Sequence, residues 1–250
     1  MDLTSERRQL PVVIFDGDDT LWQTEYLYDD ARSAAARVVA EAGIDPGDWE
    51  LLQRAIDVLN VSTMGLSRER FPLSCAQAYV ISAESAGVPF SGQVGDAVAA
   101  VARGVFETAA PTFPQAAIVL EALRVGWRIV LLTQGDTGVQ RWRVETSGLA
   151  HLFDAIEIVD RKDGSVLLAL LERLGVAAAD CWMVGNSLRS DIEPAVSCGL
   201  RAIWIDAHVW EHERDSQFGG HELVVVAASL RDVPGLLSAG ELGRRGPSEE

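Results

Sequence analysis

The first patterned stretch of the chain is a short apolar run. Residues 11–15 (PVVIF) are largely β-branched and stop abruptly at the polar cluster DGDDT, residues 16–20. A run of that length bounded by polar residues predicts a buried strand that ends in a loop. From about Thr24 the spacing changes to threes and fours, through Leu27, Ala31, Ala34, Ala35, Val38 and Ala42 before Gly43, which predicts an amphipathic helix. Trp49, Leu52, Ile56 and Leu59 predict a second helix, residues 74–85 a third, and Val94, Val98, Val101 and Val105 a fourth. The stretch from about 22 to 108 therefore reads as helical throughout.

Pro111 and Pro114 punctuate the chain, and strands and helices alternate after them. The pattern predicts helix 115–125, strand 127–133, helix 137–147, strand 156–159 and helix 165–174. It continues with strand 181–185, helix 190–198, strand 201–205 and a last strand near 223–226. Such alternation calls for a parallel sheet covered by helices on both faces. The expected fold class is thus α/β, a doubly wound parallel sheet built from residues 1–21 and 109–240. An all-helical domain, residues 22–108, is inserted after the first strand. Residues 241–250, with glycines, arginines, a proline and acids, are expected to form a flexible tail.

In an open parallel sheet the loops at the carboxyl ends of the strands converge, and helix N-termini aim their amides at the same place. Four such loops carry candidate chemistry: Asp16 to Thr20; Thr133, Gln134 and Gly135; Asp160, Arg161 and Lys162; and Gly185, Asn186 and Ser187, leading to Asp191. Asp16 and Asp18 are two apart, so an extended chain projects both to one side, and Gly17 allows a close backbone approach to a ligand. Two neighbouring carboxylates repel unless a cation lies between them. A hard cation with oxygen ligands, magnesium first, fits, and Asp191 could complete the set. One carboxylate can then stay ionised as a nucleophile while the other handles a proton. The bland alternative is that these acids merely cap the next element. Thr133 and the amides after it can cradle a phosphate at a helix start, or Thr133 can be an ordinary helix cap. Lys162 can neutralise charge between nucleophile and phosphate, or be a solvated surface lysine.

Composition sharpens this picture. The 21 basic residues are 20 arginines and the single Lys162, and an ammonium is not interchangeable with a guanidinium. A net charge of −16 repels nucleic-acid backbones and anionic lipid surfaces, so neither is an expected partner, and a small anionic substrate would need local positive charge to bind. Three cysteines, Cys75, Cys181 and Cys198, are too few for a disulfide framework and are expected as buried free thiols. With no leader-like apolar stretch at the N-terminus and no run of about 18 apolar residues, a cytoplasmic location is expected.

The four motifs, one per successive strand end, are highly specific when taken together, and through them the chain resembles the haloacid dehalogenase superfamily. The matching residues are DGDDT at 16–20, LLTQG at 131–135, Lys162, and GNSLRSDI at 185–192, within a core of about 11 to 232. The resemblance implies a Rossmann-like core with a helical cap inserted after the first motif. It implies that Asp16 becomes a transient aspartyl phosphate, and that Asp18 protonates the leaving alcohol and then activates water. Thr133 and Lys162 would be the remaining catalytic residues, with Thr133, Gln134, Gly135 and Lys162 binding the substrate phosphate. Magnesium would be held by Asp16, the Asp18 backbone carbonyl and Asp191. Asn186 stands where many relatives carry aspartate and is expected near the metal.

Within the superfamily, dehalogenases lack a carboxylate at the position of Asp18, so its presence favours phosphoryl chemistry. Cleavage of phosphonates through a cap lysine is excluded, since residues 20–110 contain no lysine. A sugar-phosphate mutase would use the same motifs, and a non-catalytic regulator that binds a phosphorylated metabolite is the reading from another class. Substrate choice is expected to reside in the cap, at Trp22, Tyr26, Met64, Arg68, Arg70 and Phe71, around a loop punctuated by Gly65 and Pro72. For Trp22, Tyr26, Phe71 and Met64 the alternative is core packing, and for the arginines surface exposure. His208 and His212, flanking Trp210, are expected to be surface histidines.

Overall fold

A computed structural model describes Arg7 and residues 9–206 and 220–244. The expected strand after residue 10 is β1 (Val12–Phe15), with all four residues buried. Four helices follow: α1 (Glu25–Glu41), α2 (Pro46–Met64), α3 (Arg70–Ser85) and α4 (Gly92–Arg103). The alternating part runs α5 (Ala116–Leu123), β2 (Arg128–Gln134), α6 (Thr137–Ser147), β3 (Ala155–Val159), α7 (Gly164–Leu174), β4 (Cys181–Gly185), α8 (Glu193–Ser197), β5 (Arg201–Ile205), β6 (Val224–Ala227) and α9 (Val233–Arg244).

The strands form one six-stranded sheet in the order β3-β2-β1-β4-β5-β6, with β1 parallel to both β2 and β4. The order reverses direction beside β1, and that switch point is where an open α/β sheet opens a crevice. Because side chains alternate along a strand, Val12, Ile14, Val130, Leu132, Cys181 and Met183 share one face with Leu167, Leu170 and Leu171 of α7. The alternate set, Val13, Phe15, Ile129 and Leu131, is fully buried on the other face. There α5 contacts α9, and Gly240 of α9 lies so close to the Trp182 ring that a Cβ would overlap it. The sheet is therefore wound on both sides, as the sequence pattern predicts.

By contacts the chain separates into two compact units. One draws on residues up to Gln23, on Pro111–Thr133 and on the chain from Ser147 onward; the other comprises Thr24–Ala110 together with Gln134–Thr146. The helical unit has clear punctuation. Asp45 accepts from the Gly47 and Asp48 amides ahead of Pro46, and Ser91 caps α4. The loop expected around Gly65 and Pro72 is shorter than the sequence suggests. Pro72 sits in the first turn of α3, where its missing N–H costs no hydrogen bond.

Two further expectations are corrected. The predicted helix 190–198 is a π-helical turn, Leu188–Ile192, followed by the short α8. Cys198 is only half-buried, whereas Cys75 and Cys181 are buried, and burial pushes both of those thiols up to about 12. No helix among the described residues is long and apolar enough to cross a membrane. His208, Trp210, His212 and the 245–250 part of the expected tail lie outside the described residues.

Candidate functional site

The register of the sheet aligns the strand ends. Phe15 pairs with Leu131 on one side and with Val184 on the other, so Asp16, Thr133 and Asn186 follow at the same carboxyl edge. The Asp16 amide still donates to the Val184 carbonyl (2.9 Å), which locks the first acid to the sheet. Past it the chain curls: the Thr20, Leu21 and Trp22 amides all donate to the Gly17 carbonyl, and Asp19 adopts a positive φ of 56° to make the turn. Asp18 sits at the outer lip of this curl, half-buried.

Lys162 reaches in from the end of β3. Its Nζ donates to Asp16 Oδ1 and to Asp191 Oδ1, the latter at 2.6 Å. All three groups are buried, with Lys162 at 6% exposure, Asp16 at 5% and Asp191 at 1%. This disposes of the surface-lysine and helix-cap alternatives for Lys162 and Asp16. Burial alone would discharge Lys162, but Asp16 and Asp191 more than restore its charge and hold it above the ordinary lysine range. Burial, then the Asp191 charge, pushes the Asp16 carboxyl up to about 8; Lys162 pulls it down and Asp18 adds to the rise.

Asp191 owes its place to the π turn. The Asp191 and Ile192 amides both donate to the Ser187 carbonyl, and the Ser187 amide returns a 3.0 Å bond to Asp191 Oδ2. Single π turns are frequent at functional sites. Gly185 completes the arrangement: a Cβ there would overlap the Asp191 carboxylate. Thr20 Oγ1 donates to Asn186 Oδ1 (3.2 Å) and Trp204 Nε1 to the Asn186 carbonyl (2.9 Å), so Asn186 braces the first loop against the last.

Thr133 is 1% exposed at the end of β2. The cap of α6 is Asp136, which accepts from the Gly138 and Val139 amides, so Thr133 is not spent on that task. Gln134 and Gly135 belong to the other compact unit, where the Gln134 carbonyl accepts from Gln140 Nε2 (3.0 Å) and Gly135 takes φ 140°.

The expected specificity positions divide. Arg70 is buried in an ion pair with Asp57, and Phe71 is wholly buried with its ring edge-on to Tyr28, so neither is a surface contact. Tyr26 and Arg68 stay exposed, and Met64 is half-buried. Trp22 is wholly buried too, and it fills the space over Gly17 that the sequence reserves for a ligand: a Cβ on Gly17 would overlap the indole. Its Nε1 donates to Asp18 Oδ1 at 2.6 Å. Nothing in the sequence signals that contact, beyond a tryptophan four residues after an acid.

The donor chemistry suits a hard divalent cation. With Asp16, Asp18 and Asp191 all ionised, the three carboxylates less the one ammonium of Lys162 leave two negative charges in excess. A doubly charged ion with oxygen ligands balances that count. Among the described residues no group of three His, Cys, Asp or Glu side chains forms a ready-made metal site. The expected set asks for only two carboxylate side chains and one backbone carbonyl.

A family model of haloacid dehalogenase-like hydrolases matches residues 10–199. The chain belongs to that family. Among curated proteins, this haloacid dehalogenase-like chain is 36% identical over 94 residues to N-acylneuraminate-9-phosphatase of Mus musculus, a stretch covering 35% of this chain and 38% of that enzyme. It is 34% identical over 102 residues to phosphoserine phosphatase of Thermus thermophilus, covering 38% and 41%. The chain thus spans about two fifths of the length of each of these two relatives. A longer match, 26% identical over 223 residues, covers 82% of this chain and 90% of glyceraldehyde 3-phosphate phosphatase of Methanothermobacter thermautotrophicus. Among solved structures, a haloacid dehalogenase-like hydrolase from Xanthomonas campestris shares the fold with a TM-score of 0.77 at 24% identity, over 94% of both chains.

Proposed function

We propose that this haloacid dehalogenase-like protein is a magnesium-dependent phosphatase that hydrolyses a small phosphate monoester through a phosphorylated Asp16. The observation that carries the reading is Lys162, buried between Asp16 and Asp191 at the carboxyl edge of the sheet, with Asp18 beside them. A nucleophilic carboxylate and a separate acid–base carboxylate in one site are what the transfer of a phosphoryl group to an aspartate and on to water requires. The phosphatase names of its relatives point the same way.

In the first half-reaction an Asp16 oxygen forms a bond to phosphorus as the bond from phosphorus to the leaving oxygen breaks. Asp18 delivers its proton to that oxygen, so a neutral alcohol departs. In the second half-reaction Asp18, now a carboxylate, takes a proton from water while the water oxygen attacks phosphorus and Asp16 is released. Lys162 stays protonated throughout and offsets charge on Asp16 and on the incoming phosphate. Thr133, with Gln134 and Gly135, would take the remaining phosphate oxygens. Asp16, the Asp18 carbonyl and Asp191 would hold magnesium, with Asn186 in its outer shell. When bound, that ion supplies the two missing positive charges and polarises the phosphoryl group. Substrate choice would reside in the helical unit, where Tyr26, Met64 and Arg68 remain as the candidate positions.

The test is phosphate release from p-nitrophenyl phosphate and from a panel of phosphorylated metabolites, with and without magnesium. The account expects turnover that chelation abolishes and that Asp16→Asn lowers by at least a thousandfold, by order of magnitude for a lost nucleophile. Tight binding of a phosphometabolite without turnover would instead mark a regulator.

A further inference from the structure

We infer that Trp22 is the positioning residue for Asp18, fixing through its indole N–H the orientation of that side chain. The inference rests on the phosphohydrolase reading above and goes beyond it by adding a residue outside the four motif positions that carry the chemistry.

An indole nitrogen donates and never accepts. Trp22 Nε1 is therefore the donor and Asp18 Oδ1 the acceptor, at 2.6 Å, which ties one oxygen of the carboxyl group to the ring. An untethered carboxyl would turn among several rotamers. Here one orientation is chosen before substrate arrives, the kind of preorganisation that makes a general acid effective.

Trp22 can do this because it cannot move. The ring is 0% exposed and lies across the Gly17 backbone. Its own backbone is held by two pairings. A parallel bridge to Asp18 is made by the Asp19 amide donating to the Trp22 carbonyl (2.7 Å) and the Trp22 amide to the Gly17 carbonyl (3.2 Å). An antiparallel bridge to Thr112 is made by the Gln23 amide donating to the Pro111 carbonyl and the Phe113 amide to the Leu21 carbonyl. A half-buried acid is thus tied to a ring set rigidly where the outgoing and returning segments of the chain pair. Burial and packing alone would be satisfied by phenylalanine; the short bond from Nε1 would not.

The experiment compares Trp22→Phe with the natural protein on p-nitrophenyl phosphate, phenyl phosphate and ethyl phosphate. kcat/KM reports the first half-reaction, the only one in which the leaving group takes part. p-Nitrophenolate departs with little need of a proton, whereas phenoxide and ethoxide need one. The expected result is that Trp22→Phe loses roughly tenfold more kcat/KM on phenyl and ethyl phosphate than on p-nitrophenyl phosphate, a fraction of what a general acid supplies. Gly17→Ala, which keeps the N–H but displaces the ring, should steepen the same leaving-group dependence. An equal loss on all three esters would overturn the inference and leave Trp22 as packing. Independently of turnover, the Trp22 indole N–H resonance in a ¹H–¹⁵N spectrum, assigned by its loss in Trp22→Phe, should move on Asp18→Ala. An unmoved resonance overturns the inference too. A natural protein inactive on every ester, yet showing the moved resonance, refutes the phosphatase reading and not the contact.

Discussion

Removing the Lys162 ammonium would leave Asp16 and Asp191 facing one another in a site from which water is largely excluded. Breaking a buried ionic group by deleting one partner costs about 3–5 kcal/mol, because the charges left behind keep their desolvation penalty. Lys162→Met should therefore lower unfolding stability in urea by that amount at pH 7 in the absence of metal; a change under 1 kcal/mol would show that the ammonium is not the counter-charge. Lys162→Arg should recover part of the stability and none of the activity, since the planar fork cannot occupy the place of a compact ammonium between two carboxylates. At this scale the charged members of the site were legible in the sequence, because Asp16, Lys162 and Asp191 each end a strand-to-loop segment in the expected order. Trp22, Gly17 and Gly185 were not. Their roles depend on which atoms meet across the curl after β1 and the π turn, and spacing along a chain does not carry that information. Arg70 was misread for a related reason: its partner Asp57 lies on a different helix, and a lone arginine near a proline looks exposed.

The elements deliver these side chains because their ends are tied down. Asp154, just ahead of β3, is one such tie. It accepts from Arg7 Nε (2.9 Å) and Nη2 (2.7 Å), and its Oδ2 also takes the Ile129 amide of β2 (2.8 Å). Arg7 adds a bond to the Arg124 carbonyl past the end of α5 (3.0 Å). Burial pushes the Asp154 carboxyl up, yet the hydrogen bonds from Arg7 and Ile129 and the Arg7 charge outweigh it and leave the group below the ordinary carboxylate value. A lowered folded value means stability that is complete above the unfolded pKa, near ~3.9, and lost as pH falls through the folded one. Asp154→Asn should thus cost about 1 kcal/mol at pH 7, as expected for a partly exposed charged pair, with the difference from the natural protein shrinking below pH 4. A difference constant from pH 7 to pH 3, followed by urea midpoints, would refute the tie. Most strands were legible to within a residue or two, since their apolar runs are short and sharply bounded. The π turn was not, because it differs from a regular helix only in how the Ser187 carbonyl is shared.

For the molecule as a whole, the net charge of −16 sets a problem for the proposed function, namely drawing a phosphate ester to a negatively charged protein. Lys162 and a bound divalent ion would supply the local positive potential. The doubly wound sheet does the gathering: its switch point beside β1 brings residues separated by more than a hundred positions, Asp16 and Lys162, into contact. That architecture was legible from the alternation of apolar runs and helical spacings after Pro111. Membership of the haloacid dehalogenase-like family agrees with it. The grouping of residues 134–146 with the helical unit was not legible, because that grouping depends on packing rather than on pattern. The central claim is that the phosphoryl group passes through Asp16. Quenching the protein during turnover of p-nitrophenyl phosphate with magnesium, reducing with borohydride and mapping peptides by mass spectrometry tests it directly. An acyl phosphate is reduced to an alcohol, so the account predicts homoserine at position 16 and at no other acidic residue. Steady phosphate release with an unmodified Asp16, or with the reduced residue at Asp18 or Asp191, would contradict it.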